Sequence, residues 1–253
     1  KSKNERVITL SVVGGLFLMS LLAIGLFRRN KYINKTKLII DEAKKKSDEL
    51  LCNILPEETA EELKQKGKVE AKKYESVTVL FTDFKGFTKY AEELPPEKLV
   101  ETVDLYFSEF DKIVEKYKIE KIKTIGDAYM CASGLPEPSD NHAEMMLLAA
   151  KDIAKFVKKK KQVHLVNEIR FDIRIGIHTG PIVAGIVGKN KFSYDIWGDT
   201  VNVASRMESS SEVGKINVSE TTYNLTKDKF SFESRGEVKV KNRGSINMYF
   251  LKD

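Results

Sequence analysis

Cysteine is scarce. Two residues, Cys52 and Cys131, stand in a chain of 253, so no disulfide framework holds it together and a reducing compartment is expected. The three histidines are not clustered and no CxxC pair occurs, which leaves no zinc-site pattern. Internal repeats and low-complexity tracts are missing as well. Charge is only mildly biased: a net +6, with pI near 9.0, is too diffuse to argue for nucleic acid, though it suits anionic ligands or an anionic membrane surface. The first residue is Lys1 rather than Met, so a fragment or processed product is expected, with a sensor region upstream of it.

What is present first is a long apolar run. Residues 7–27, VITLSVVGGLFLMSLLAIGLF, carry no charge. At ~1.5 Å per residue they span roughly 30 Å, the hydrocarbon thickness of a bilayer. The run is too long for a signal-peptide core, no small-x-small cleavage site follows it, and it lacks the polar face of a buried soluble helix. Arg28, Arg29, Lys31, Lys35 and Lys37 follow it, against Lys1, Lys3 and Arg6 before it. The positive-inside bias predicts a single-pass cell-membrane protein, with residues 1–6 outside and the remainder cytoplasmic. Residues 28–55 read as a helical coiled-coil linker, because Ile33, Ile40, Ser47 and Ile54 share one heptad position and Thr36, Ala43 and Leu50 the other. An amphipathic helix lying on its own domain is the alternative. Residues 56–76 read as a short helix after Pro56 and a polar connection.

From residue 77 the composition, 42% hydrophobic over the chain, supports a sizeable core. Strands are expected at 77–83, 119–124, 128–133, 170–178, 192–197, 230–240 and 246–251, with helices at 86–93, 96–117, 140–160 and 200–208. The order β-α-α-β-β-α-β is a split βαβ, ferredoxin-like core, giving an α+β class, an α/β sandwich. The stretch VTVLFTDFKGFT (77–88) ends a buried-type strand in Asp83. Asp127 follows 127 − 83 = 44 residues later, in the Gly126-Asp127 turn between two strands. Neighbouring strands would bring both carboxylates to one edge, where a pair of divalent cations would relieve their repulsion and leave room for phosphate oxygens. Gly86 would let backbone N–H groups at a helix start approach an anion. An ordinary turn or cap role for Asp127 stays open on these residues alone.

Four blocks carry a more specific signal: FTDFKGFT (81–88), KIKTIGDAYM (121–130), RIGIHTG (174–180) and YDIWGDTVNVASRMES (194–209). Together they closely resemble the class III nucleotidyl cyclases, the adenylate and guanylate cyclases. The resemblance covers about residues 50–253, and LLCNILPEETAEELK (50–64) resembles the segment that often precedes that catalytic domain, here 77–253. It implies metal ligation by Asp83 and Asp127, with the Phe84 backbone carbonyl added; the family more often has Ile at position 84. It implies a phosphate-cradling loop of Phe84, Lys85, Gly86, Phe87 and Thr88, and a purine-reading pair, Lys123 and Asp195. Asn202 would orient the ribose and Arg206 stabilise charge at the α-phosphate. Arg174 and Arg243 would hold the triphosphate tail; the family often has Lys at the latter position, and a strand-edge ion pair is the alternative for Arg174.

A Lys donor and an Asp acceptor fit adenine, whereas guanylate-type members resemble this sequence with Glu and Cys at those positions. The implied function is therefore an adenylate cyclase: ATP is the substrate, two Mg²⁺ or Mn²⁺ ions the cofactors, and cyclic AMP and pyrophosphate the products. In this family the metal acids of one subunit meet the Asn and Arg of another, so a homodimer with composite sites is implied. His142 and His178 have no role in that chemistry. A guanylate cyclase, a catalytically silent dimeric module and a polymerase-like palm enzyme are the rival readings.

Overall fold

A computed structural model describes residues 2–162, 170–188, 191–240 and 244–252. The chain divides into two bodies, Lys1–Ile54 and Leu55–Asp253. The first is a single helix, α1 (Ser2–Cys52), of 51 residues. No Gly or Pro occurs between Gly25 and Pro56, so nothing breaks it, and the expected membrane and linker helices are continuous. It is long and apolar enough to cross a membrane.

The second body opens with α2 (Glu57–Lys66), which Pro56 leads into and Gly67 closes in the left-handed conformation. Then follow β1 (Lys72–Lys85), α3 (Phe87–Glu93), α4 (Pro96–Lys116), β2 (Glu120–Ile125), β3 (Ala128–Ser133), α5 (His142–Gln162) and β4 (Asp172–Val187). The chain continues through β5 (Ser193–Trp197), α6 (Asp199–Ser209), β6 (Ile216–Ser219), α7 (Glu220–Thr226), β7 (Phe232–Val240) and β8 (Gly244–Leu251). The sheet order is β2-β3-β1-β4-β6-β8-β7, with β5 paired to the far half of β4. Its first four strands, β2-β3-β1-β4, are antiparallel neighbours crossed over by α4 and α5, which is the expected split βαβ core.

Strand alternation sorts the side chains of β1 and β4 between two faces. Leu80 and Phe84 of β1 and Ile173, Ile175 and Ile177 of β4 join the large core under α4 and α5, with Phe107, Phe110, Met146 and Leu147. Phe84 lies at its centre, stacked on Phe171 at 4.5 Å and edge-on to Tyr106 at 5.3 Å. Asp83, Arg174 and Gly176 therefore point to the opposite face, where α6 lies. A Cβ on Gly176 would stand 1.8 Å from the Glu208 backbone nitrogen, so the α6 backbone rests directly on β4. Val203 and Met207 of α6 close a second, small core with Val240 and Met248.

The structure departs from the sequence reading in three places. The polar connection of 68–76 becomes strand from Lys72, pairing with Ala184 and Val183 before a register shift between Tyr74 and Val77. β4 runs through Gly180-Pro181 to Val187, so His178 lies within a strand rather than at its end. β6 and α7 were not expected; INVS is too short a run to show a period.

Glu120 begins β2, partly buried beside a groove of about 850 Å³ lined by Glu57, Glu58, Glu115 and Glu137. Burial pushes its carboxyl up to about 6. The folded state then holds the proton more tightly than the unfolded state, so Glu120 lowers stability as pH rises from about 4.5 to 6. Glu120→Gln should gain about 2 kcal/mol over wild type at pH 8 and little at pH 4, as read by denaturant unfolding at the two pH values. Equal gains at both would remove the ionised carboxylate as the cause.

Candidate active site

Asp83 is held on the partly exposed face of β1 because Phe84, the next residue, is locked in the aromatic core on the opposite face. The β2–β3 turn brings Asp127 beside it: Gly126 takes φ 62, and Thr82 pairs with Tyr129 across β1 and β3. Burial raises the Asp127 carboxyl above its ordinary value, and the adjacent Asp83 charge adds to this. The backbone N–H groups of Asp127 and Phe84 donate to that carboxylate and partly offset the rise. So the two aspartates converge, as strand order requires.

Asp83 is not without a charge partner. Arg174 stands directly opposite it on β4 and its guanidinium bonds the Asp83 carboxylate. The same Nη2 lies 3.0 Å from Oε1 of Glu208, on the buried side of α6. That second contact is an ion pair rather than a well-directed hydrogen bond, since Oε1 has no hydrogen-bond partner among the described residues; Arg174 Nε has none either. Burial pushes the Glu208 carboxyl up to about 7 despite the opposing pull of Arg174. Two carboxylates thus share one guanidinium with a third, Asp127, beside Asp83, and the cluster has hard oxygen donors with too little positive charge. Among the described residues no three His, Cys, Asp or Glu could hold a metal ion by themselves. The aspartate pair therefore fits ions whose remaining positions a ligand's oxygens complete.

Beyond Asp83, Lys85 and Gly86 are exposed, and Gly86 takes φ 78. Phe87 packs half-buried against Phe171, and exposed Thr88 follows it in the first turn of the seven-residue α3. At another part of the body, Lys123 of β2 and Asp195 of β5 meet, with Nζ 2.5 Å from Oδ2. The Ile196 N–H donates to the other Asp195 oxygen at 2.9 Å and fixes the carboxylate plane. Lys123 remains 39% exposed, so the pair is accessible to a ligand. Asn202 and Arg206 sit four residues apart on α6, exposed and half-exposed respectively. Among the described residues neither bonds Asp83 or Asp127. Arg243 lies outside the described residues.

The family model for the "Adenylate and Guanylate cyclase catalytic domain" matches residues 69–253. The chain belongs to that family. An adenylate cyclase of Mycobacterium tuberculosis is 39% identical over 218 residues, 86% of this chain and 48% of that protein. The chain thus spans about half the length of this curated relative. Among solved structures, the guanylate cyclase domain of RhGC from Catenaria anguillulae, in complex with GTP, is 35% identical with a TM-score of 0.68, covering 72% of this chain and 98% of that one. The adenylyl cyclase CyaB of P. aeruginosa is 31% identical with a TM-score of 0.65, covering 73% and 97%. Adenylate and guanylate cyclases are thus both among its relatives.

Sequence reasoning about this cyclase domain passed over Glu208. Its signal was there: an acid among the buried α6 residues Val203, Ala204 and Met207, where an apolar residue belongs. The close contact beneath it is testable. Gly176→Ala should lose about 3 kcal/mol or more, whereas Gly185→Ala, whose Cβ would meet nothing nearer than 3.4 Å, should lose under about 1 kcal/mol. Chemical denaturation of both variants makes the comparison; equal losses would mean that α6 does not rest on Gly176.

Proposed function

We propose that this chain is an adenylate cyclase, forming 3′,5′-cyclic AMP and pyrophosphate from ATP at composite sites of a homodimer. The orientation of α6 carries this reading. Helix residues turn by ~100° each, so Arg206 is rotated about 200° from Glu208. Glu208 faces the chain's own Asp83–Arg174 cluster; Arg206, and Asn202 one turn before it, face away. Side chains suited to the ribose and the α-phosphate are thus turned from the carboxylates of their own chain, and a second copy has to supply them. The β4–β5 hairpin supports such pairing, since Val183 and Trp197 are direct cross-strand neighbours and both are exposed, as are Val187 and Phe192.

Lys123 and Asp195 present a donor and an acceptor side by side. Adenine offers the complementary N1 acceptor and N6 donor, and guanine offers the reverse; a mismatched pair is costly. Two Mg²⁺ or Mn²⁺ ions, held by Asp83, Asp127 and the Phe84 carbonyl, would neutralise triphosphate charge and acidify the ribose 3′-hydroxyl. Asn202 orients the ribose so that its 3′-oxygen lies in line with the α-phosphorus. The 3′-oxygen–phosphorus bond forms as the bond to pyrophosphate breaks, and the hydroxyl proton leaves to solvent. Arg206 takes up the charge that develops at the α-phosphate. Arg174 and Arg243, with the Lys85–Thr88 loop, hold the departing tail. α1 crosses the membrane once through residues 7–27 and the catalytic body is cytoplasmic, by the cationic flank 28–37. The heptads of 33–54 bring two chains together and raise their effective concentration.

Asp83→Ala and Arg206→Ala should each be nearly inactive, since both sites of either homodimer lose a part. Mixed after proven subunit exchange, they should recover roughly a quarter of wild-type turnover, from the half of dimers that carry one intact site. No recovery would mean that each chain builds its own site. Lys123→Glu combined with Asp195→Cys should lower ATP turnover at least about 100-fold and admit GTP. Unchanged ATP preference, measured as kcat/KM for each nucleotide, would remove the pair from base reading.

A further inference from the structure

Glu208 has no part in the chemistry just described, yet it is an acid 9% exposed, fixed by the contact of α6 with Gly176. It touches the one guanidinium that also bonds Asp83. Arg174 Nη2 is thus shared between two carboxylates, and one of them belongs to the aspartate pair suited to a metal. A guanidinium bonded to Asp83 covers lone pairs that an ion needs. Arg174 and an incoming ion compete for Asp83 Oδ2, and a partly buried guanidinium displaced without another partner is strongly disfavoured. Glu208 is already within 3.0 Å, and its Oε1 has no other claim on it.

We propose that Glu208 is a positioning residue that takes over Arg174 when Asp83 turns to its metal ion, keeping the guanidinium in the site and free to meet the triphosphate tail. The inference rests on the adenylate cyclase reading only for what binds at Asp83. It explains why an acid is tolerated on the inner face of α6, where an apolar side chain would pack at lower cost. Without that carboxylate, Arg174 would have Asp83 as its only acceptor in the cluster among the described residues, and an incoming cation would have to displace a guanidinium with no second carboxylate beside it.

The test is Mn²⁺ binding to the full chain in detergent without nucleotide, followed by electron paramagnetic resonance. Glu208→Gln keeps the shape and removes the charge; it should bind Mn²⁺ about 10-fold more weakly than wild type. Arg174→Ala should bind at least as tightly as wild type, because the competitor is gone. The double variant should match Arg174→Ala, since Glu208 acts through the arginine. A loss that persists undiminished in the Arg174→Ala background would overturn the proposal, because Glu208 would then act on the ion by its own field. In turnover, Glu208→Gln should raise KM for ATP by a larger factor than it lowers kcat, the mark of a misplaced tail-binding group; an equal fall in kcat with KM unchanged counts against it. Should Glu208→Gln not fold, Glu208→Asp withdraws the same charge by one methylene and should weaken Mn²⁺ binding in the same direction; wild-type affinity there overturns the proposal. If wild type neither binds Mn²⁺ nor turns over ATP, the adenylate cyclase reading fails. If it does both and Glu208→Gln is indistinguishable from it, only the role of Glu208 fails.

Discussion

α6 lies on a glycine. Gly176 leaves no room for a Cβ under the backbone of Glu208, and that contact fixes the rotation of the helix about its axis. Everything that α6 offers follows from the rotation. Val203 and Met207 close a small core, Glu208 is turned into the carboxylate cluster, and Asn202 and Arg206 are turned away from it. A helix rolled by nearly half a turn, ~160°, would put Arg206 among its own chain's acids and leave no reason for a second copy. The composite site proposed above would thus be a consequence of one backbone approach more than of any single polar residue.

The other constraint is electrostatic. β1 is anchored by Phe84 in an aromatic core, so the residue before it is delivered to the sheet face with little freedom. The β2–β3 turn sets Asp127 against it, and burial together with the Asp83 charge raises the Asp127 carboxyl. Arg174 relieves part of that repulsion from across β4. The arrangement is stable enough to fold but short of positive charge, which is the condition a divalent cation and a polyphosphate meet together.

Much of this was legible in the sequence. The buried-type run ending in Asp83, the Gly126-Asp127 turn and the periodicity of α4 mark local structure by themselves, and the split βαβ core, though not the placing of β6 within the sheet, followed from the alternation of elements. The Lys123–Asp195 meeting was legible only through resemblance, because β2 and β5 are not neighbours in the sheet order. The pairing of Arg174 with Asp83 was not legible, since it depends on the β1–β4 register, which no local pattern states. Nor was the full length of β4, whose Gly180-Pro181 step reads as a terminator although the strand continues to Val187. Glu208 was missed although its spacing from Val203, Ala204 and Met207 sets it on the buried face of α6; what it meets there, Arg174 of β4, depends on the fold.

The central claim is that a cyclase domain with Lys123 beside Asp195 acts on ATP. The most direct test gives purified chain ATP and GTP side by side with Mg²⁺ or Mn²⁺ and identifies products by mass spectrometry and phosphorus NMR. The account predicts 3′,5′-cyclic AMP and pyrophosphate in equal amounts from ATP, with little cyclic GMP. Cyclic GMP as the main product, or hydrolysis of ATP to ADP and phosphate without a cyclic nucleotide, would contradict it.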